Sequence, residues 1–161
     1  MDSNSIPEKI FDLPGIIEKV NNWKQRGKRI VFTNGVFDLL HEGHIFSLSQ
    51  AAKEGDKLII GLNSDSSVKR LKGDSRPIDD QDARALALAS LEIIDAVVIF
   101  EEDTPLKLIT SILPDVLVKG GDYTVNEIAG AKEVIANGGK VVINPILDGF
   151  STTAIINAMK K

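Results

Sequence analysis

Residues 30–48 read Ile-Val-Phe-Thr-Asn-Gly-Val-Phe-Asp-Leu-Leu-His-Glu-Gly-His-Ile-Phe-Ser-Leu, and this stretch decides the fold. The apolar run Ile30-Val31-Phe32 enters a turn at Thr33-Asn34-Gly35. Val36-Phe37 follow, and His41-Glu42-Gly43-His44 opens a helix. These are the only 2 histidines among 161 residues. A spacing of three puts two side chains on the same side of a helical turn. A strand that feeds a glycine-containing turn and then a helix start aims backbone N–H groups and the positive end of the helix dipole at one spot. Such a spot suits an anion, phosphate above all, and two imidazoles add donors to it.

Working outward, Ser5-Ile6-Pro7 opens a first helix over about residues 7–27, carried by Leu13, Ile16, Ile17, Val20 and Trp23 and stopped at Gly27. Apolar runs at 30–33, 57–62, 96–100, 116–118 and 141–143 read as strands; the second is continuous enough for a buried parallel sheet. Helical patterns fill the intervals: from the histidine box to near Gly55, from Asp79 or Asp80 to about Ile94, from Pro105 to Leu113, and near 126–137. A last one runs from the Ser151-Thr152-Thr153 cap to Lys161. Residues 66–82 read as a polar loop punctuated by Gly73 and Pro77, in which Lys69, Arg70, Lys72 and Arg76 crowd together. Alternating strands and helices imply β-α-β crossovers and an open, roughly five-stranded parallel sheet. Ligands on such sheets bind beyond the carboxyl ends of the strands. The turns at 33–44, 63–76, 119–123 and 149–153 all fall at those ends, so they converge on one site.

Composition narrows the classes. The chain is 43% hydrophobic and 26% charged, as expected of one globular domain spanning residues 1–161 with its core from about residue 29. A net charge of −4 argues against general nucleic-acid binding. There are no cysteines, so disulfide and thiolate chemistry are excluded. The first residues lack a signal-peptide pattern, and no apolar run approaches a membrane span, so a cytoplasmic location without membrane contact is expected. Nucleophilic Ser/His/Asp catalysis lacks a nucleophile elbow. Zinc at His41 and His44 requires a third ligand, Asp38 or Glu42, and Glu42 points elsewhere on the helical turn. A plainer reading has both histidines merely capping the helix. Phosphoryl-type transfer, which needs positioning and charge stabilisation but no protein nucleophile, fits best.

Gly35-Val36-Phe37-Asp38-Leu39-Leu40-His41-Glu42-Gly43-His44 resembles the signature of the nucleotidyltransferase superfamily marked by a His-x-Gly-His box after a G-x-F-D turn. The resemblance implies a Rossmann-like α/β fold with helices on both faces of its sheet. It implies that His41 and His44 stabilise a pentacoordinate transition state at the α-phosphorus as pyrophosphate leaves, with nucleotide contacts from Asn34, Gly35, Val36, Phe37 and Gly43. Lys72 would neutralise charge on the transferred group. Residues 148–156, DGFSTTAII, resemble the family's second signature, in which Gly149, Phe150, Ser151, Thr152 and Thr153 meet the β- and γ-phosphates; an ordinary Ser/Thr helix cap accounts for the same residues. Lys119, Gly120 and Asp122 are expected to border the nucleoside, although the glycines equally suit a plain turn. Substrate-binding candidates are Asp38, Asn63, Asp65, Lys69, Arg76 and Arg84. Asp38 equally serves to orient water around a metal or to cap a turn, Asp65 to cap a turn, and Arg84 to hold an acidic neighbour. Mg²⁺ is expected as the companion of ATP, held by phosphate oxygens and not directly by protein. The family implies a homodimer.

The segments NSDSSVKRLKGDSRP, FEEDTP, LVKGGDY with EIAGAKEV, and DGFSTT extend the likeness, from about Arg29 to the C-terminus, to the bacterial adenylyltransferases that make ADP-heptose. That branch implies ATP and a phosphorylated sugar, D-glycero-β-D-manno-heptose 1-phosphate, as partners, and lipopolysaccharide core synthesis as the context. A sugar kinase often precedes this domain; 161 residues leave no room for one, so a stand-alone form is expected. The alternative within the family is a cytidylyltransferase acting on glycerol 3-phosphate or a similar alcohol phosphate. Its characteristic arginines are replaced here by Glu92 and Ile146, which favours ATP. An alternative of another class is a non-catalytic nucleotide-sensing domain.

Overall fold

The structure, a computed structural model, describes residues 6–121 and 123–144. Its frame is a sheet of six strands, β1 (Ile10–Phe11), β2 (Ile30–Gly35), β3 (Lys57–Asn63), β4 (Ala96–Phe100), β5 (Val116–Gly120) and β6 (Lys140–Asn144). They lie in the order β1-β4-β3-β2-β5-β6, and every pair is parallel. The open parallel sheet is the one the alternation implied, but with six strands rather than five. The extra strand comes from the segment assigned to the first helix. Pro7–Lys9 make a 3₁₀ turn, Ile10 and Phe11 pair with Val97 and Val98, and only then does helix α1 (Leu13–Gln25) begin. Asp12 caps it by accepting Gly15 N–H at 2.8 Å, with Pro14 in the first turn.

The remaining helices are α2 (Glu42–Ala52), α3 (Asp65–Lys72), α4 (Gln81–Ala89), α5 (Leu106–Ile112) and α6 (Ala131–Ala136). Helix α3 lies where a polar loop was expected. Ser64 starts it by accepting Ser67 N–H, and Val68 turns inward. Asp80 caps α4, which ends at Ala89, earlier than its Ala/Leu content suggested. A 3₁₀ turn at Val125–Glu127 takes up the start of the helix expected near 126–137. The last expected helix, with its Ser-Thr-Thr cap, lies outside the described residues.

Alternation along each strand divides the core in two. Ile30, Phe32, Ile59, Ala96, Val98 and Leu117 face α1, α5 and α6, packing with Ile16, Val20, Trp23, Ile109 and Val134. Val31, Leu58, Ile60, Val97, Val116 and Val118 face the other way, onto Leu48 and Ala51 of α2 and Ala85 and Leu88 of α4. Strands covered on both faces read as unbroken apolar runs because no position is left for solvent. Aspartates preceding the strands satisfy N–H groups at the sheet's amino-terminal edge: Asp115 accepts from Ile30, Asp95 from Leu58, and Asp56 from Arg29. Among the described residues no helix is long and apolar enough to cross a membrane.

The chain leaves β2 toward β3 on one side and later places β5 on the other, so the strand order reverses between β2 and β5. That crevice, at the carboxyl ends of the strands, is where such sheets hold ligands.

Candidate active site

The β2–α2 turn is the centre of the site. Gly35 cannot carry a Cβ without meeting the Phe37 ring at 2.9 Å. Phe37 and Leu39, on either side of Asp38, both have positive φ, 49° and 53°. Non-glycine residues hold this conformation only where surrounding contacts impose it. Asp38 supplies the contacts. It is 0% exposed, and its carboxylate accepts Ile78 N–H at 2.7 Å, Asp79 N–H at 3.0 Å and Arg76 Nε–H at 3.1 Å. Its pKa is lowered although burial alone would raise it, because the two amides and the guanidinium favour the ionised form. Asp38 was expected to meet substrate, to orient a metal's water shell or to cap a turn. The structure engages it at the turn: its oxygens bind the 76–79 loop to the β2–α2 turn.

Arg84 is the second buried tie. It is 1% exposed and donates from Nη1 to the carbonyls of Val36 (2.9 Å) and Asn63 (2.7 Å). Its Nη2 meets Asp65 Oδ1 at 2.8 Å, and its Nε meets the Asp79 carbonyl at 3.1 Å. Of its two expected roles the acidic neighbour is the one realised, and neither Arg84 nor Asp65 borders a cavity. Ser64, not Asp65, provides the cap at the end of β3.

The two histidines cap α2 through their own rings. His41 Nδ1 accepts Gly43 N–H at 3.1 Å, and His44 Nδ1 accepts His41 N–H at 3.3 Å. A ring nitrogen that accepts carries no hydrogen, so in the neutral imidazoles the proton sits on Nε2. The rings stack at 3.8 Å, and Phe37 meets His44 edge-on at 5.3 Å. Burial, then the neighbouring His41, lowers His44 from 6.5 to about 4, against the opposing pull of Asp38. At neutral pH His44 is thus an uncharged Nε2–H donor.

Two cavities meet at this turn. The larger, about 600 Å³, is lined by Asn63 of β3, Leu71 and Lys72 of α3, Arg76, Asp103-Thr104-Pro105, Tyr123 and Glu127. The smaller, about 220 Å³, lies at the β2–β5 crevice between Gly43, Ser47 and Leu48 of α2, Val118 and Gly120 of β5, and Asn144 of β6. Asn34, Gly35, Val36, Phe37, His44 and Lys119 line both. His41 borders neither; it stands behind His44 as its stacked partner. Lys119 lies 5.1 Å from the Tyr123 ring, and burial lowers its pKa.

The four clustered cations take different places: Lys69, Arg70 and Lys72 lie on α3, and Arg76 lies beyond its end. Arg70 binds Asp103 at 2.8 Å and the Glu101 carbonyl, and Lys69 is exposed and lines neither cavity. Lys72 and Arg76 face the larger cavity. Sequence reasoning missed the acidic wall, Asp103 and Glu127, although FEEDTP and EIAGAKEV carried it. It also missed Asn144, whose Nδ2 is buried without a hydrogen-bond partner at the wall of the smaller cavity. The expected contacts Asp122, Gly149, Phe150, Ser151, Thr152 and Thr153 lie outside the described residues. Among the described residues no group of three or more His, Cys, Asp or Glu is placed to hold a metal ion, so His41 and His44 find no third zinc ligand in Asp38 or Glu42.

A reversed-order parallel sheet whose crevice is edged by a glycine turn and a histidine-capped helix is an architecture for nucleotide chemistry. The chain belongs to the cytidylyltransferase-like family, whose profile matches residues 32–158, and is an enzyme of the nucleotidyltransferase class. Its sequence is 58% identical over 148 residues to the bifunctional protein HldE of Rhodospirillum rubrum, covering 92% of this chain and 30% of that protein. With HldE of Shigella flexneri the figures are 57% over 138 residues, 86% and 29%. The chain thus spans under a third of the length of these relatives. Among solved structures, a lipopolysaccharide core biosynthesis protein from Thermoplasma volcanium is similar at a TM-score of 0.62 and 29% identity, over 75% of this chain and 98% of that one. A pantoate-beta-alanine ligase from Francisella tularensis shares the fold at a TM-score of 0.60 and 17% identity, over 94% and 76%.

Replacing Arg84 by Met leaves three carbonyls and Asp65 without their donor, and is expected to cost about 3–5 kcal/mol of stability, read by urea unfolding. The His44 shift gives a pH signature. Below pH 6.5 the unfolded chain gains a proton that the folded ring refuses until about 4, so stability present above 6.5 is lost as pH falls through about 4. Melting temperatures of the ligand-free protein should therefore fall more steeply with acid than those of His44→Asn.

Proposed function

We propose that the chain is an adenylyltransferase that moves AMP from ATP onto a sugar 1-phosphate, with D-glycero-β-D-manno-heptose 1-phosphate as the acceptor and ADP-heptose and pyrophosphate as products. The observation that carries the reading is the wall shared by the two cavities. Nucleotide and acceptor, one in each, meet at the Asn34–Phe37 turn and His44. The acceptor's phosphate oxygen forms a bond to the α-phosphorus, the bond from that phosphorus to the β-bridging oxygen breaks, and pyrophosphate leaves with the electron pair. No protein nucleophile is needed. His44 Nε2–H donates to the oxygens around phosphorus, and stacked His41 holds its orientation. Lys72, at the end of α3, neutralises the transferred group. Gly149 to Thr153 would present N–H and hydroxyl donors to the β- and γ-phosphates, and Lys119, Gly120 and Asp122 would border the nucleoside.

The heptose branch is supported by the quoted segments and by the similarity to two HldE proteins and a lipopolysaccharide core biosynthesis protein. Of the two replaced arginines only one bears on the base. Glu92 precedes β4 at the sheet's amino-terminal edge, remote from the cavities, so the preference for ATP rests on Ile146. Magnesium fits as a companion of the triphosphate: Asp38, the carboxylate nearest the turn, is already engaged, which leaves phosphate oxygens to hold the ion and screen their charge. The homodimer implied by the family belongs to the same proposal.

Pyrophosphate release with magnesium, ATP or CTP, and a panel of sugar 1-phosphates and glycerol 3-phosphate is the test. ATP with the heptose phosphate should give the highest kcat/KM. Greater turnover with CTP and glycerol 3-phosphate would select the cytidylyl reaction, and ATP binding with no release from any acceptor would select a sensing domain. His44→Asn keeps an acceptor where Nδ1 caps the helix but removes the Nε2 donor, and should lower kcat about 10²–10³-fold.

A further inference from the structure

The lining of the larger cavity includes a side chain with a donor that none of the described residues uses. Arg76 is 9% exposed, and its Nη2 is shut off from solvent with no hydrogen-bond partner, while Nε is fixed to Asp38 at 3.1 Å. Buried guanidinium N–H groups are almost always paired, because leaving one unpaired forfeits its hydration for nothing. Lys72 borders the same cavity, and its pKa is lowered first by burial and then by Arg76. Arg76 and Lys72 therefore bring positive charge to this space, with Lys119 also on its lining, and Asp38, the partner of Arg76, is fully enclosed.

We propose that Arg76 is the receptor for the acceptor's phosphate: with Nε held by Asp38, the unused Nη2 and Lys72 clamp a phosphomonoester that enters the larger cavity, which both residues line. This rests on the reading of the cavities given above and adds the orientation of the second substrate. The same cavity is lined by Asp103, Glu127 and Thr104, whose oxygens suit hydroxyl donors. The phosphate thus lies at the Arg76–Lys72 end and the polyol points toward Asp103 and Glu127. His44 lines the same cavity, so a phosphate so held presents an oxygen toward the histidine turn. Arginine suits the task better than lysine, since one planar fork serves the internal carboxylate and the ligand at once.

The test is a kinetic comparison of wild type, Arg76→Lys and Arg76→Gln, with thermal melts as the folding control. Loss of a charged hydrogen bond should raise the acceptor KM about 10–100-fold while the KM for ATP and kcat stay within threefold. An unchanged acceptor KM, or equal rises in both KM values, overturns the proposal. Inorganic phosphate titrated calorimetrically into protein saturated with a non-hydrolysable ATP analogue needs no turnover. Binding weakened at least tenfold in Arg76→Gln supports the site even if every sugar phosphate proves inert, which would sink only the functional reading; equal binding by wild type and variant overturns the site. Should both variants fail to fold, a crystal of the wild-type protein with acceptor and analogue decides. Phosphate against Nη2 supports the assignment, and phosphate seated elsewhere ends it.

Discussion

A guanidinium at the carboxyl edge of the sheet holds the structure's functional end together. The strand-end carbonyls of Val36 and Asn63 have no further strand residues to pair with, and they lie in a region sealed by α4. Unsatisfied, each would cost about 1–3 kcal/mol. Arg84 answers both from one nitrogen and uses its remaining donors on Asp65 and Asp79. Burying a charge for this is expensive, but five donors in a fixed plane fit diverging carbonyls as no neutral side chain does. The geometry of β2, β3 and the start of α4 is common to one side chain, so the two loops that edge the larger cavity cannot move independently.

Asp38 performs the matching task with opposite sign. It gathers two amides and Arg76 beneath the turn whose flanking residues sit at positive φ. The strain at Phe37 and Leu39 is therefore maintained by a loop some 40 positions further along the chain. The histidines reconcile two readings that looked exclusive. Each ring caps the helix with Nδ1, and that use fixes the hydrogen on Nε2. The structural role makes the chemical one possible.

What the sequence disclosed follows from this. The β2–turn–α2 unit, the parallel sheet and the convergence of turns were legible because apolar runs and glycine punctuation are local signals. His44, Lys72, Lys119 and the Asn34–Phe37 turn, all singled out from the sequence, line the cavities. The partners of Asp38 and Arg84 were not legible: charged residues read alone look like surface groups, and Asp38 meets Ile78 40 positions away while Arg84 meets Val36 48 positions away. Helix α3 escaped notice because so little of it faces inward, with Ser67 and Val68 its buried residues. Strand β1 escaped because two residues have no periodicity. Lys69 was grouped with Lys72 by proximity in sequence, yet it is exposed and lines neither cavity.

The short strand β1 has one more consequence. Without it, β4 would present a bare row of amides and carbonyls at the margin of a flat apolar sheet, the sort of rim on which a second unfolded chain can zip itself. Ile10 and Phe11 occupy that rim, and at two residues they are too brief to serve as a template in their turn. The segment ahead of the first helix thus acts as a selvedge, keeping a sheet built for small molecules from recruiting polypeptide.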